Sequence, residues 1–411
     1  MEKGKIQEES YQAMITMKAV ILAAGEGTRL KPYTETIPKV MLPVANKPII
    51  AYVVDALRKS GITEIIIVVG YKKEAIMEYF KDYTNDINIT YVTQEQQLGT
   101  AHALLQARNY IKDTFLVLSG DNIIDHPSIA ALIKTKTDYA MLIKKHPQPS
   151  KYGVVSIDHN QLKEIIEKPA IEEEMYISTG IYKLPPSIFD DIETYTCQGL
   201  YALTLVIQSI VNRDETISTI STTMWKDIIY PWDLITVNAT MMQTLPAATA
   251  GTIEKGVTIK GPVHIGKDTK IYAGTYITGP VVIGEGCEIG PNACIFPSTS
   301  IGNNTVIYPF CTIRDSVIMN NVHLGANSFL SHSIIGKGSV IKNSCSTIPE
   351  KTTIEVEGEF NTLPIIGAMI GDDCTIESNV VIQAGSIIGR NCMIHPLTTI
   401  RESIPSYTKV M

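Results

Sequence analysis

Two patterns of hydrophobic residues divide the chain. From Met17 to about residue 238, short aliphatic runs alternate with segments that carry apolar residues at helical spacing. This alternation is typical of a sheet covered by helices, and runs that are apolar throughout indicate strands buried on both faces. Such runs are Ala19-Val-Ile-Leu22, Glu64-Ile-Ile-Ile-Val-Val69 and Phe115-Leu-Val-Leu118, and helical spacing occupies residues 49–60 and 100–110. We therefore predict a doubly wound, Rossmann-like α/β domain with mainly parallel strands over residues 17–245.

Isoleucine recurs at every sixth position after about Gly251. One series runs through positions 253, 259, 265, 271, 277, 283, 289, 295, 301, 307 and 313, and a second through 370, 376, 382, 388, 394 and 400. A period of six is the mark of a β-helix, in which three hexapeptides make one triangular coil and the isoleucines stack inside. We predict a left-handed β-helix over residues 251–411. Residues 344–368 break the period and include Glu355, Glu357 and Glu359, so we expect an inserted loop there.

Composition narrows the class of protein. The net charge of −7, without a dense Lys/Arg cluster, argues against nucleic-acid or membrane-surface partners. The chain has no apolar run near the roughly 18 residues of a membrane span and no signal-peptide pattern, so we expect a cytoplasmic protein. The 7 cysteines are scattered without zinc-site spacing, and we interpret them as core thiols. Residues 1–16 are polar and mixed in charge, which predicts a flexible N-terminal extension.

A turn rich in small residues follows the first strand-like run. Its sequence is Leu22-Ala-Ala-Gly-Glu-Gly-Thr-Arg-Leu30, and Ile37-Pro-Lys-Val-Met-Leu-Pro43 comes shortly after. Small residues let backbone N–H groups approach an anion, and Arg29 and Lys39 can neutralise a phosphate. Ordinary turns contain the same residue types. The turn alone is therefore consistent both with a phosphate-binding site and with a purely structural turn.

The two segments together resemble the signature of the sugar-1-phosphate nucleotidyltransferase family, a Leu-Ala-Ala-Gly-x-Gly-Thr-Arg loop followed by Pro-Lys. The resemblance covers the N-terminal half and implies an enzyme that joins a nucleoside triphosphate to a sugar-1-phosphate. It assigns Arg29 and Lys39 as catalytic cations, and nucleotide binding to Leu22, Ala24, Gly25 and Gly27. The stretch Gln94-Glu-Gln-Gln-Leu-Gly-Thr-Ala101 is similar to the family's base-reading segment. There Gln94 and the backbone of Gly99 and Thr100 would bond to a pyrimidine edge; the alternative for Gln94 is a surface glutamine.

Two aspartates match the metal positions of that family. Asp121 follows an apolar strand in Leu118-Ser-Gly-Asp-Asn122, and the carboxyl ends of parallel strands are where open α/β sheets bind ligands. Asp227 lies in Trp225-Lys-Asp-Ile-Ile-Tyr-Pro-Trp-Asp233, which resembles the family's second metal segment, with Ile229 where a glycine is usual. The resemblance implies Mg²⁺ held by Asp121 and Asp227. We interpret Asp233 as the cap of the following helix.

The resemblance also implies sugar-binding residues. Tyr152-Gly-Val-Val155 and Ile165-Ile-Glu-Lys-Pro169 match segments in which Gly153 and Glu167 bind ring hydroxyls and Lys168 approaches the sugar phosphate. The family's Asn-Thr-Gly element reads Ser178-Thr179-Gly180 here, so one side chain that contacts the sugar is shorter. The sequence therefore leaves the sugar open, as it leaves open UTP or dTTP.

The implied reaction is an in-line attack by a sugar-1-phosphate oxygen on the α-phosphorus, which releases pyrophosphate. Two alternatives stand beside it. One is a bifunctional enzyme that also acetylates glucosamine-1-phosphate with acetyl-CoA; the other is a regulatory subunit that binds sugar nucleotides without turnover. Retention of the two cations and the two aspartates argues against the regulatory subunit. Related β-helices commonly form trimers, so we expect a trimer-based homo-oligomer.

Three departures argue against acetyl transfer by this β-helix. Bifunctional archaeal relatives have a His-Leu-x-Tyr segment, where alignment places Ala326 and Phe329 in this chain. His323 lies three residues upstream, so we expect it at a surface or interface. The relatives' Ala-Asn pair falls at Ile348-Pro349, and their Arg-Arg-Lys loop cluster at Leu363-Pro364-Ile365. We therefore expect a β-helix that serves mainly in assembly.

Overall fold

The computed structural model describes residues 17–81, 83, 86–171, 173–222 and 224–411, so the predicted extension at residues 1–16 lies outside the described residues. The chain packs as two compact units. The α/β unit contains Ile49–Asp227 and the described residues before Glu26, and the β-helix unit contains Glu26–Pro48 and Ile228–Met411. Arg29 and Lys39 therefore belong to the β-helix unit.

Regular elements up to Met242 follow the predicted alternation. The strands are β1 Ala19–Ala23, β2 Pro43–Val44, β3 Lys47–Pro48, β4 Glu64–Val69, β5 Asn88–Thr93, β6 Phe115–Ser119, β7 Asn122–Ile124, β8 Ala140–His146, β9 Gly153–Asp158, β10 Gln161–Glu167, β11 Met175–Leu184, β12 Ser218–Ser221 and β13 Trp225–Asp227. The helices are α1 Ile49–Lys59, α2 Lys73–Phe80, α3 Thr100–Leu105, α4 His126–Ile133, α5 Ile188–Cys197, α6 Leu203–Val211 and α7 Asp233–Met242. None of the helices in the described residues is long and apolar enough to span a membrane.

A mixed sheet forms the core of the α/β unit. Its strand order is β5-β4-β1-β6-β11-β8-β12-β10-β9, and β5, β4, β1 and β6 run parallel. The three continuously apolar runs of the sequence form β1, β4 and β6, buried almost throughout. The rest of the sheet is largely antiparallel, because β9 and β10 form a hairpin and β11 runs against both β6 and β8. The prediction of mainly parallel strands thus holds for the first four strands and for the β8–β12 pair, and the remaining pairs are antiparallel.

Three parallel sheets build the β-helix, as the isoleucine period predicts. Their orders are β14-β17-β20-β23-β26-β29-β34-β37, β15-β18-β21-β24-β27-β30-β35-β38-β40 and β16-β19-β22-β25-β28-β31-β36-β39. The strands are β14 Ala248–Thr249, β15 Thr252–Ile253, β16 Thr258–Lys260, β17 Val263–Ile265, β18 Lys270–Ile271, β19 Tyr276–Thr278, β20 Val281–Ile283, β21 Glu288–Ile289, β22 Cys294–Ile295, β23 Thr299–Ile301, β24 Val306–Ile307, β25 Thr312–Arg314, β26 Val317–Ile318, β27 His323–Leu324, β28 Phe329–Ser331, β29 Ile334–Ile335, β30 Val340–Ile341, β31 Ser346–Thr347, β32 Glu350–Val356, β33 Glu359–Ile366, β34 Met369–Ile370, β35 Thr375–Ile376, β36 Val381–Ile382, β37 Ile387–Ile388, β38 Met393–Ile394, β39 Thr399–Ile400 and β40 Lys409–Val410.

The stacked isoleucines form the core of the solenoid. Ile265 pairs with Ile283 on the next coil, and both are buried. On the first coil, Ile253 is 38% exposed and Ile259 is only partly buried. The slip in the isoleucine period comes from shortened coils, in which Ile301 pairs with Ile318 instead of a residue 18 positions on. The cysteines are free thiols; of those, Cys287, Cys311, Cys345, Cys374 and Cys392 are buried and Cys197 is exposed.

The segment that interrupts the period is an antiparallel hairpin. Its strands are β32 and β33, and Val356 pairs with Glu359 across a two-residue turn of Glu357 and Gly358. Both turn residues have left-handed backbone, with φ of 50° and 80°. Such turns match the twist of the flanking strands. The predicted loop is therefore an ordered hairpin, which we call the acidic hairpin (residues 350–366).

Candidate functional site

The carboxyl ends of the parallel strands gather the first set of predicted residues. Leu22 lies in β1 opposite Val68 of β4 and Ser119 of β6, so the turn at Ala24 and Gly25 leaves the sheet beside the ends of both neighbours. Gly120 donates its N–H to the Leu22 carbonyl at 2.8 Å. A Cβ on Gly120 would lie 3.1 Å from that carbonyl oxygen, so glycine permits the close approach. The first half of the signature turn and Asp121 therefore lie at one edge of the sheet.

Gln94 follows β5 at that same edge and is buried rather than on the surface, with 3% exposure. Its backbone N–H donates to Val69 at 2.8 Å, and its side-chain amide donates to the Gly99 carbonyl at 3.2 Å and lies 2.9 Å from His102 Nδ1. A buried amide with fixed partners has a fixed orientation, which a group that reads hydrogen bonds requires. The reading as a surface glutamine is wrong.

Gly99 and Thr100 shape the turn after Gln94. Gly99 has φ of 151°, and a Cβ there would come 2.7 Å from the Tyr201 carbonyl oxygen. Only glycine fits this approach. The Thr100 hydroxyl accepts from the N–H of Leu203 at 3.0 Å, at the start of α6. The hydroxyl of Thr100 thus binds the main chain of α6. We therefore expect Thr100 to contact a ligand through its backbone.

Asp227 and Asp121 are brought together by a small ribbon. Strands β7 and β13 pair antiparallel, with Asp227 opposite Asn122, the residue after Asp121. Ser119 donates its hydroxyl hydrogen to Asp121 Oδ1, which orients that carboxylate. Both aspartates carry oxygen ligands of the type that Mg²⁺ takes. Within the described residues, no group of three or more His, Cys, Asp or Glu side chains is placed to hold a metal.

Gly153 and Glu167 face each other across the β9–β10 hairpin, where they are register partners. Lys168 follows in left-handed backbone with φ of 44°, and its ammonium lies 4.0 Å from Glu167 Oε1. Burial raises the pKa of Tyr182 to about 12, with a further contribution from the charge of Glu167 and a lowering by the Ser178 hydroxyl. Glu167 therefore lies within electrostatic reach of the strand that carries Ser178.

Ser178 and Thr179 are buried in β11, with 6% and 2% exposure. The Ser178 hydroxyl lies 2.8 Å from the Tyr182 hydroxyl, and Thr179 donates to the Leu142 carbonyl at 2.8 Å. Both hydroxyls are engaged inside the protein. The structure thus brings Gly153 and Glu167 together and gives Ser178 and Thr179 internal partners.

A group of basic side chains, Lys144, His146 and Lys226, adjoins the β7–β13 ribbon, and no sequence motif predicted it. Lys144 on β8 donates to the Trp225 carbonyl at 3.0 Å, and burial followed by the charge of Lys226 lowers its pKa. Burial also lowers the pKa of His146, to which Lys144, Lys151 and Lys226 add. Residues from β8 and β13 are distant in sequence, so no local motif could have found this group.

The second half of the signature turn is part of the β-helix unit. Gly27 has φ of 72°, and a Cβ there would lie 2.8 Å from Lys39 Cβ, so the turn packs directly on Lys39. Thr34 donates to the Gly27 carbonyl at 2.9 Å. Arg29 donates from Nε to Glu357 at 3.2 Å. Gly27, Arg29 and Lys39 are therefore held in one short segment.

That segment is anchored on the solenoid by its own side chains. Tyr33 is buried and donates to the Ile334 carbonyl at 3.2 Å, and Thr36 donates to Asp372. Burial raises the pKa of Asp372, against the hydrogen bond from Thr36 and the charge of Lys337. Because Tyr33 and Asp372 are buried, the β-helix fixes the backbone between Arg29 and Lys39.

The interpretation of Asp233 as a helix cap is wrong. Asp233 is the first residue of α7, and its carboxylate accepts from the N–H groups of Ile229 and Tyr230, both at 2.8 Å. These N–H groups precede the helix. Asp233 therefore closes the turn that contains Ile229, the departure from the family's glycine.

The β-helix positions considered for acetyl transfer occupy ordinary places in the solenoid. His323 is exposed on β27, and the N–H of Ala326 donates to Asn343 at 3.0 Å. Phe329 on β28 stacks under the Arg314 guanidinium, 5.9 Å from the ring centre. Leu363 lies on the second strand of the acidic hairpin.

Three family profiles match the chain. The profile of the nucleotidyl transferase family matches residues 18–244. That of the GMPPB C-terminal domain matches residues 277–359, and that of the bacterial transferase hexapeptide, six repeats, matches residues 367–402.

Individual proteins are similar over most of the chain. The bifunctional protein GlmU of Methanococcus vannielii is 34% identical, over 92% of this chain and 95% of its own. A bifunctional sugar-1-phosphate nucleotidylyltransferase/acetyltransferase of Sulfurisphaera tokodaii is 35% identical, over 94% and 98%. Among solved structures, a Bacillus anthracis protein assigned as a glucose-1-phosphate thymidylyltransferase, crystallised with sucrose, is 26% identical with a TM-score of 0.52. It covers 57% of this chain and 98% of its own.

Proposed function

The chain belongs to the sugar-1-phosphate nucleotidyltransferase family, and we propose that it joins UTP or dTTP to a hexose-1-phosphate, with release of pyrophosphate. One observation carries the proposal. The signature turn at Ala24, the buried amide of Gln94 and the carboxylate of Asp121 all follow neighbouring parallel strands at one edge of the sheet. Asp227 joins them through the β7–β13 ribbon.

The reaction needs no covalent intermediate with the protein. A phosphate oxygen of the sugar-1-phosphate forms the new bond to the α-phosphorus as the bond to the pyrophosphate oxygen breaks. Both reactants are anions, so the task of the protein is to position them and to neutralise their charge. We assign that neutralisation to Arg29 and Lys39. An enzyme built in this way can act on phosphates while its net charge is −7.

The donor set fits Mg²⁺, the cofactor we propose. Mg²⁺ in nucleotide sites is held by one or two carboxylates while substrate phosphates complete its ligands, so a pair of aspartates suffices. Asp121 and Asp227 would hold the ion, which when bound supplies positive charge to the phosphate groups. The hydroxyl of Ser119 keeps Asp121 in place.

Recognition of the base is assigned to Gln94 and to the backbone of Gly99 and Thr100. The amide of Gln94 is held by Gly99 and His102, so it presents one orientation to a ligand. A fixed polar group discriminates well against a base that leaves it unpaired. The nucleotide itself would be cradled by the backbone of Leu22, Ala24, Gly25 and Gly27.

The sugar side is assigned to Gly153, Glu167 and Lys168. Glu167 would accept from ring hydroxyls, and Lys168 would meet the sugar phosphate. We also assign Ser178 and Thr179 to the sugar side, although in this structure their hydroxyls bond to Tyr182 and Leu142.

A second candidate function is acetyl transfer by the β-helix, favoured by the names of the two archaeal relatives. Against it stand Ala326 and Phe329 at the positions aligned with a base and a hydroxyl.

We propose that the β-helix instead assembles a cytoplasmic trimer. Sedimentation of the full chain tests the trimer.

A pyrophosphate-release assay tests the proposed function. The full chain is incubated with Mg²⁺, a panel of triphosphates and a panel of hexose-1-phosphates. We expect release with a pyrimidine triphosphate and one class of hexose phosphate. Binding of a sugar nucleotide without release under any combination would support the regulatory subunit instead.

A further inference from the structure

The acidic hairpin places two carboxylates on Arg29. Glu357 Oε2 accepts from Arg29 Nε at 3.2 Å, and Glu359 Oε1 lies 3.6 Å from Arg29 Nη2. Arg29 and both glutamates belong to the same compact unit. The hairpin interrupts an otherwise regular solenoid, and the isoleucine period gives no reason for its presence.

The carboxylate of Glu359 is itself held in place. Tyr230 donates its hydroxyl hydrogen to Glu359, and its ring stacks on Trp232 with centroids 4.7 Å apart. Burial raises the pKa of Tyr230 to about 12, and the hydrogen bond to Glu359 adds to it. Tyr230 therefore remains a hydrogen-bond donor to Glu359 at any physiological pH.

Glu357 also occupies a strained position. Its φ of 50° is one that Asn or Gly adopts at low cost, and these are the residues that such hairpin turns prefer. A glutamate at this place is explained by the partner of its carboxylate, Arg29. Local turn chemistry gives no such explanation.

We propose that Glu357 and Glu359 are competing anions for Arg29, which a bound polyphosphate has to displace. This inference rests on the proposed function, in which Arg29 neutralises the triphosphate. The side chains of Arg29, Glu357 and Glu359 are 36%, 45% and 47% exposed, and exposed ion pairs contribute little stability because water screens them. Triphosphate oxygens form charge-assisted bonds to a guanidinium just as carboxylates do, so they can take the place of Glu357 and Glu359. The hairpin thus sets the affinity for triphosphate without blocking the reaction.

The test is a charge-removing double variant, Glu357→Gln with Glu359→Gln. We expect its KM for the nucleoside triphosphate to fall by about 2- to 5-fold, the range of an exposed ion pair, with kcat nearly unchanged. Glu355→Gln on the same hairpin, which removes an exposed charge, should keep the KM of the parent. The difference should shrink at high ionic strength, since salt screens exposed pairs. An unchanged or higher KM in the double variant overturns the inference.

Calorimetric titration with inorganic tripolyphosphate measures the affinity for a polyphosphate directly, without turnover. The double variant should bind it more tightly than the parent, and the gain should disappear when Arg29→Gln is added. A gain that persists without Arg29 contradicts direct competition. If the parent protein releases no pyrophosphate with any substrate, the proposed function fails, yet this titration still decides the role of the hairpin. Thermal melting of each variant confirms that it is folded.

Discussion

Asp227 is the register partner of Asn122 in the β7–β13 ribbon, and Asn122 directly follows Asp121. The main chains of two aspartates more than a hundred residues apart are thereby brought close to each other. This closeness does not depend on a ligand, since main-chain pairing creates it.

Removal of either carboxylate should impair turnover and leave the fold intact. We expect Asp121→Asn and Asp227→Asn each to lower kcat by about 100-fold or more, because charge stabilisation acts on the transition state. Steady-state pyrophosphate release measures the effect. Asp138→Asn, an exposed aspartate of the same unit, is the matched control. Parent-like kcat in both variants would remove these residues from the site.

Gln94→Ala should relax the choice of base. Its amide is the fixed donor and acceptor assigned to the pyrimidine edge, so we expect the UTP-over-ATP ratio of kcat/KM to fall by about 10-fold or more. The loss of a buried donor to Gly99 should also reduce stability by about 1–3 kcal/mol. Gln96→Ala, exposed in the same turn, should alter neither quantity. An unaltered base ratio in Gln94→Ala means that another group reads the base.

Buried isoleucines should carry the stability of the solenoid. Ile283 is fully buried and Ile253, in the same period, is 38% exposed. Ile283→Ala should cost roughly 2–5 kcal/mol of unfolding free energy, and Ile253→Ala well under half of that. Denaturant unfolding gives both values. Equal costs would show that the period does not mark the core.

Asp372 should make stability depend on pH. Burial raises its pKa in the folded protein above the ordinary 3.8, so the unfolded chain loses this proton first as the pH rises. The stability that the protonated group contributes is present below pH 3.8 and is lost as the pH rises through the folded pKa. Asp372→Asn does not titrate; its amide oxygen can still accept from the Lys337 N–H, and its NH2 can donate to the Thr36 hydroxyl, which then accepts. The unfolding free energy of Asp372→Asn should therefore rise relative to that of the parent between acid and neutral pH. Parallel curves of unfolding free energy against pH would contradict a raised pKa for Asp372.

Acetyl transfer can be checked on its own. We expect the full chain, given acetyl-CoA and glucosamine-1-phosphate, to release free thiol no faster than a no-enzyme control. Ala326 and Phe329 offer neither a general base nor a hydroxyl at the aligned positions. Release well above that control would assign a second activity to this protein.

The local patterns of the sequence predicted the elements and most of their order. Continuous apolar runs gave β1, β4 and β6, because strands buried on both faces leave no polar positions. The isoleucine period gave the three sheets, because each coil repeats the same inward position. The antiparallel course of β11 was missed, since strand direction depends on pairing partners that periodicity does not reveal.

The site was predictable only where a motif is contiguous. The turn at Ala24 and the segment at Gln94 are short stretches, so their residue types were informative. Arg29 and Glu357 are in contact although 328 residues separate them. The sequence around Arg29 predicts a turn and that around Glu357 predicts a loop, but neither pattern predicts that the two meet. The basic group at Lys144 likewise joins β8 to β13. Such contacts follow from tertiary packing and have no signature along the chain.

The most direct test of the account is identification of the product. The full chain is incubated with Mg²⁺, UTP or dTTP and a hexose-1-phosphate, and mass spectrometry follows the nucleoside diphosphate sugar. We predict this product in equal amount to pyrophosphate, and neither when any one component is omitted. Tight binding of the substrates without formation of a nucleoside diphosphate sugar would contradict the account.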